Sequence, residues 1–260
     1  MNRSLIAVDV GNSRLKLGLF EVGESRALPA PGRVLELDSH ADDFEAQLDD
    51  WASPQTSGAR WAVASVNRDV RRRLVDWLAR ERPHDEVAPV DYRALPLTIE
   101  LPEPEQVGID RLLAAVAANR LRAAGQTAVV VDMGSAITVD KISAEGAFCG
   151  GAILPGIRMA ARALHEQTDV LPDAAMRELS TPPPALGAST LTAIEAGLYW
   201  GAVGAVRELI GQFAAGAKGP PLVLLTGGAA PAVAKLLGDD ARYVPHLVLA
   251  GIAIAQQAGE

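Results

Sequence analysis

Two short stretches place a carboxylate, a glycine and a small polar side chain at the end of an apolar run. They are Asp9-Val10-Gly11-Asn12-Ser13, and Asp132-Met133-Gly134-Ser135 with Thr138 and Asp140 beyond it. A carboxylate at a strand end can hold a hydrated Mg²⁺, and the N–H groups of a glycine turn can take phosphate oxygens. A single copy reads first as an Asx-type turn in a hairpin, since Asp, Gly and Asn are ordinary turn formers. The second copy, roughly half the chain away, points to two facing phosphate turns that would form a nucleotide cleft. Lys16 adds a point charge near the β- or γ-phosphate, or is a solvated strand lysine. Gly108-Ile109-Asp110-Arg111 opens an apolar-striped segment. There Asp110 is either a base that accepts a hydroxyl proton, with Arg111 steadying anionic oxygens, or a first-turn residue set against the helix dipole. Thr226-Gly227-Gly228 ends an apolar run where backbone can approach adenine or ribose closely, or is a plain βα turn.

The elements that must position these residues follow from periodicity. Leu5 to Val10 and Arg14 to Phe20 read as a strand hairpin, as do Thr127 to Met133 and Ala136 to Ile142. In the first half, helices are expected at 41–51, 68–82 and 105–124, the last closed by Gly125. A buried strand is expected at 61–66, and a mostly extended Pro-rich stretch at 83–104. In the second half, 150–154 reads as a strand, 156–167 as a helix, 169–187 as a loop, 189–213 as a long helix, 222–225 as a strand and 248–257 as a closing helix. The repeated opening divides the chain into similar halves at 1–125 and 126–260.

Composition narrows the partners. With 49% hydrophobic residues and 24 glycines, the 260 residues can bury one large core or two moderate ones. The 24 Lys and Arg against 32 Asp and Glu give a net charge of −8, and no long basic run is present, which argues against nucleic acid or an anionic membrane as a partner. The one cysteine, Cys149, and four histidines offer neither a disulfide nor a zinc-like ligand set. Asp9 follows only four apolar residues, too few for a signal-peptide core, so a cytoplasmic location is expected.

Taken in order and spacing, Asp9-x-Gly11-Asn12-Ser13, Gly108-x-Asp110-Arg111, Asp132-x-Gly134-Ser135-Ala136-x-Thr138-x-Asp140, Gly150-Gly151-x-Ile153-x-Pro155-Gly156 and Thr226-Gly227-Gly228 resemble the type III pantothenate kinases over essentially the whole chain. The resemblance implies an α/β architecture, a duplicated actin-like ATPase (ribonuclease H-like) fold with a nucleotide cleft between two similar halves. It also implies a homodimer, and phosphorylation of pantothenate by ATP with Mg²⁺ and K⁺ or NH₄⁺. Asp9, Gly11, Asn12, Ser13 and Lys16 would line the ATP phosphates, with Asp9 reaching Mg²⁺ through water. Gly134, Ser135, Gly227 and Gly228 would also meet the nucleotide. Asp110 would be the catalytic proton acceptor. Gly108, Ile109, Asp110, Arg111 and Thr190 would touch pantothenate, and Asp132 would hold the monovalent cation. Ser13 and Ser135 stand where threonine is usual and keep a hydroxyl. Leu101 stands where many members carry a tyrosine near the substrate, and Ala250 stands where glutamate is usual. Two other readings are an accessory protein that keeps the fold without turnover, and a kinase for another small hydroxyl substrate.

Overall fold

The computed structural model describes residues 4–21, 27–52, 58–174, 176, 181–238 and 241–258. The chain separates into two compact units. The first comprises Met1–Thr98, Pro102–Leu121 and His246–Glu260, and the second Ile99–Leu101 and Arg122–Pro245.

The first unit is built on the strands β1 (Leu5–Val10), β2 (Arg14–Phe20), β3 (Arg33–Asp38), β4 (Arg60–Ser65) and β5 (Glu86–Pro89), in the spatial order β3-β2-β1-β4-β5. The first three form an antiparallel meander, while β4 runs parallel to β1 and β5 parallel to β4. Side chains alternate between the two faces of such a sheet. Ile6, Val8, Val10, Leu15 and Leu17 therefore turn to one side, against Phe44, Leu48 and Trp51 of α1 (Phe44–Trp51) and Val70, Leu74, Trp77 and Leu78 of α2 (Arg68–Glu81). Trp61 packs edge-on between Trp51 and Trp77, with centroids 6.4 and 5.9 Å away. Such aromatic pairs add to the area that they bury. The other face of β1 and β2, which carries Ala7, Asp9 and Lys16, receives α7 (Leu247–Ala258), itself packed on α3 (Ile109–Leu121).

The second unit repeats this plan with β6 (Ala128–Met133), β7 (Ala136–Ile142), β8 (Phe148–Pro155), β9 (Leu222–Thr226) and β10 (Ala241–Tyr243), in the order β10-β9-β6-β7-β8. Again three strands form an antiparallel meander and two are added in parallel. Val129, Val131, Ile137 and Val139 pack with α4 (Ile157–Glu166), α5 (Thr190–Ala214) and the short α6 (Ala230–Ala234). Each unit thus holds a mixed five-stranded sheet of the same connectivity, the duplication expected from the two Asp-x-Gly hairpins.

Several boundaries differ from expectation for identifiable reasons. The helix expected at 105–124 spans only Ile109–Leu121, and Pro104–Gln106 forms a separate 3₁₀ turn. The break falls at Gly108, whose carbonyl accepts from Arg111 and Leu112. The helix expected at 41–51 begins at Phe44. The strands β3, β5 and β10 are three of the four edge strands and were not expected, because a short half-exposed strand draws its stability from its neighbour. The simple division at 125 and 126 also differs from the observed grouping. Helix α7 joins the first unit because it is apolar all round and crosses α3 so closely that a Cβ on Gly251 would stand 2.0 Å from the Leu113 carbonyl oxygen. Ala250 is buried in the same helix. Residues 99–101 join the second unit through the Ile99 bridge to Phe148 and the Glu100 N–H donating to the Phe148 carbonyl. Of the loop expected at 169–187, residues 175 and 177–180 lie outside the described residues, as do Met1 to Arg3.

Candidate active site

In the first unit, Asp9 on β1 and Lys16 on β2 are directly opposite in the antiparallel register, so both half-buried side chains leave the same face. Between them the turn Gly11-Asn12-Ser13 is closed by the Gly11 N–H donating to the Arg14 carbonyl at 2.9 Å. Buried Ser39, just past β3, braces this turn from behind. Its N–H donates to the Ser13 carbonyl at 3.1 Å and its hydroxyl to the Gly11 carbonyl at 3.3 Å. Ser39 was invisible in the sequence because β3 was.

Asp110 sits in the first turn of α3, where its Oδ1 accepts from the Arg111 N–H at 2.9 Å. A Cβ on Gly108 would stand 2.5 Å from that oxygen, so only glycine leaves room for the carboxylate to fold back over the helix start. Burial pushes the Asp110 carboxyl above its ordinary range. The bond from the Arg111 N–H and the positive charges of Arg111 and Lys16 pull it part of the way back. The result is a carboxylate of raised basicity within electrostatic reach of Lys16, flanked by Ile109 and Arg111.

In the second unit the Asp132 turn is one residue tighter, with Gly134 and Ser135 alone between β6 and β7. It is closed by the Gly134 N–H donating to the Ala136 carbonyl at 3.0 Å, and the Gly156 N–H donates to the Ser135 carbonyl at 3.1 Å. Thr226, at the end of β9, is in register with Asp132. Gly227 then adopts φ +92°, and a Cβ there would stand 2.5 Å from Asp132 Oδ1 and 2.6 Å from the Met133 carbonyl carbon. Next to it Gly228 is exposed, with no atom within 4 Å of where its Cβ would be. The Gly-Gly turn is therefore pressed against the Asp132 turn on one side and open on the other.

The first unit thus gathers Asp9, Gly11, Asn12, Ser13, Lys16 and Gly108 to Arg111, and the second gathers Asp132, Gly134, Ser135, Gly227 and Gly228. Thr190 stands at the exposed first turn of α5, behind the reciprocal cap of Ser189 and Thr192. Leu101 lies beside β8, its Cδ2 3.3 Å from where a Gly150 Cβ would be.

A duplicated sheet of this connectivity, with a carboxylate and a glycine turn closing the first hairpin of each copy, defines an actin-like ATPase fold. A protein of Campylobacter jejuni described as a Baf family transcriptional activator has the same fold (TM-score 0.61, 19% identity, 98% of both chains). So does one of Sinorhizobium meliloti described as a 2-dehydro-3-deoxygalactonokinase (TM-score 0.58, 16% identity, 98% of this chain and 96% of that one). The type III pantothenate kinase profile matches residues 5–212. A type III pantothenate kinase of Anaeromyxobacter dehalogenans (strain 2CP-C) is 36% identical over 97% of this chain and 98% of its own. One of Parafrankia sp. (strain EAN1pec) is 33% identical over 95% of each. The chain belongs to the type III pantothenate kinase family, and is a kinase.

Proposed function

We propose that the protein transfers the γ-phosphoryl group of ATP to the primary hydroxyl of pantothenate, giving 4′-phosphopantothenate and ADP, the first step of coenzyme A biosynthesis. The observation that carries the chemistry is Asp110, a carboxylate made more basic by burial, anchored by the Arg111 N–H and within electrostatic reach of Lys16. The substrate oxygen gives its proton to Asp110 as it bonds to the γ-phosphorus, and the bond from that phosphorus to the β–γ bridging oxygen breaks. Lys16 and the turn amides neutralise charge on the phosphates, Arg111 steadies anionic oxygens, and Thr190 helps to orient pantothenate. Gly227 and Gly228 let the nucleotide lie close to the backbone.

Among the described residues no three His, Cys, Asp or Glu side chains cluster into an all-protein metal cage. The donor set at each turn, one carboxylate beside a glycine backbone, fits hard cations that also bind phosphate and water. Asp9 would hold Mg²⁺ through water and Asp132 would hold K⁺ or NH₄⁺. Such cations supply charge neutralisation at the phosphates. The reaction belongs in the cytoplasm, where ATP is supplied and Cys149 stays reduced.

A coupled assay of ADP release tests this reading. Turnover should require pantothenate and should fall when Na⁺ replaces K⁺ at constant ionic strength. Turnover equal in K⁺ and Na⁺ would remove the cation role of Asp132. An absence of pantothenate-dependent turnover would remove the substrate assignment.

A homodimer is also proposed. Ile194, Tyr199 and Val203 of α5 are buried in the unit's own core, and Leu198 and Trp200 pack against it. The surface instead carries Leu191, Gly197, Gly201 and Gly204 along α5, with Ile153 of β8, Met159 of α4, Val170 and Leu186. Exposed apolar side chains beside a glycine stripe suit close approach of a second copy. Light scattering at micromolar concentration should return twice the chain mass of 27.2 kDa. A monomer mass would overturn the dimer.

A further inference from the structure

Lys16 has a carboxylate on each side. Asp9 is its partner across β1, and Glu36 is its partner across β3. Directly opposed side chains on one face are near enough to pair. Yet among the described residues the Lys16 ammonium makes no ion pair with Glu36. Glu36 is engaged elsewhere. Its Oε2 accepts from the Arg14 guanidinium at 3.1 Å, and its Oε1 lies 3.9 Å from His246 Nδ1.

The backbone supports this arrangement. Arg14 is two residues before Lys16 on β2 and so shares its face. Residue 38, opposite Arg14, has its own carboxylate turned to the His40 N–H, with Oδ1 accepting at 2.9 Å. Arg14 is thereby left to Glu36. His246 enters from the start of α7 with φ +55°, an unusual value for a side chain other than glycine, and its carbonyl accepts from Ala250.

We infer that Arg14 is a positioning residue: by holding the Glu36 carboxylate, with His246 beside its other oxygen, it keeps Glu36 off Lys16 and leaves the ammonium for phosphate oxygens. The inference rests on the reading that Lys16 meets the ATP phosphates. Without Arg14, Glu36 becomes a competitor of the nucleotide for the same ammonium. The effect falls on binding of ATP and not on pantothenate.

Steady-state kinetics of the full chain test it. Arg14→Gln should raise KM for ATP roughly two- to five-fold, the scale of a solvent-exposed charge pair, with KM for pantothenate unchanged. Adding Glu36→Gln to that variant should return KM for ATP to the value of Glu36→Gln alone, since the competitor is gone. Arg14→Lys, which keeps the charge and the strand, should remain near the parent. An elevated KM that Glu36→Gln fails to correct would overturn the inference and make Arg14 a direct nucleotide contact or a structural residue. An unchanged KM in Arg14→Gln, with Lys16→Ala still impaired, would overturn it too. If Lys16→Ala itself leaves KM for ATP unmoved, the nucleotide reading of Lys16 fails first, and the inference falls with it.

Discussion

Asp110→Asn is expected to lower kcat about 10²-fold or more while ATP still binds, the usual scale for removal of a general base. The amide cannot take the hydroxyl proton, but its Oδ1 can still accept from the Arg111 N–H, so the start of α3 stays intact. Burial makes a second expectation possible. The folded chain holds the Asp110 proton to higher pH than the unfolded chain does, because the carboxyl is raised above its ordinary value of 3.8. Stability contributed by this group therefore falls as pH rises through the interval between the two values, and above that interval the cost is present in full. Asparagine carries no charge to desolvate, so its melting temperature at pH 7 should equal or exceed that of the parent. The same shift places the acid limb of the parent's pH–kcat profile above the pH at which an exposed aspartate titrates. Near-normal turnover in Asp110→Asn would reduce Asp110 to a residue that serves only the helix start.

Gly227→Ala is the other large expected effect. At φ +92° an L side chain costs on the order of 1–3 kcal/mol wherever it is forced. Here the new Cβ also meets Asp132 Oδ1 at 2.5 Å and the Met133 nitrogen at 2.7 Å. Neither backbone nor carboxylate can yield without moving the second Asp-x-Gly turn. A shift of about 1 Å in a positioning group can cost roughly 10²-fold, which is the loss expected in kcat/KM for ATP. Gly228→Ala provides the contrast, because its Cβ would point into open space within the chain. It should leave the melting temperature unchanged and weaken nucleotide binding only as far as the ligand uses that space. Titration with a fluorescent ATP analogue, alongside thermal melts, separates the two. Parental nucleotide affinity in a folded Gly227→Ala protein would show that this turn does not serve the nucleotide.

The amino-acid sequence by itself determined the parts that depend on neighbours along the chain. Asp9 and Asp132 end runs of alternating or β-branched residues, and a glycine turn followed by a second alternating run can form little else than a hairpin. The register that sets Asp9 against Lys16 follows from that local pattern, and the duplication follows from its recurrence. Asp110 was legible as a first-turn carboxylate after a glycine. Its raised basicity was not, since that comes from burial, against which Arg111 and Lys16 pull only part of the way back. Only the tertiary structure revealed β3, β5 and β10, whose short, half-exposed segments become strands through the partner they pair with. With β3 came Ser39 behind the first Asp-x-Gly turn and Glu36 beside Lys16, both unrecognisable before the strand was placed. The grouping of α7 with the first unit was likewise decided in space. A helix that is apolar all round can be buried against any core, and Gly251 against Leu113 selects this one.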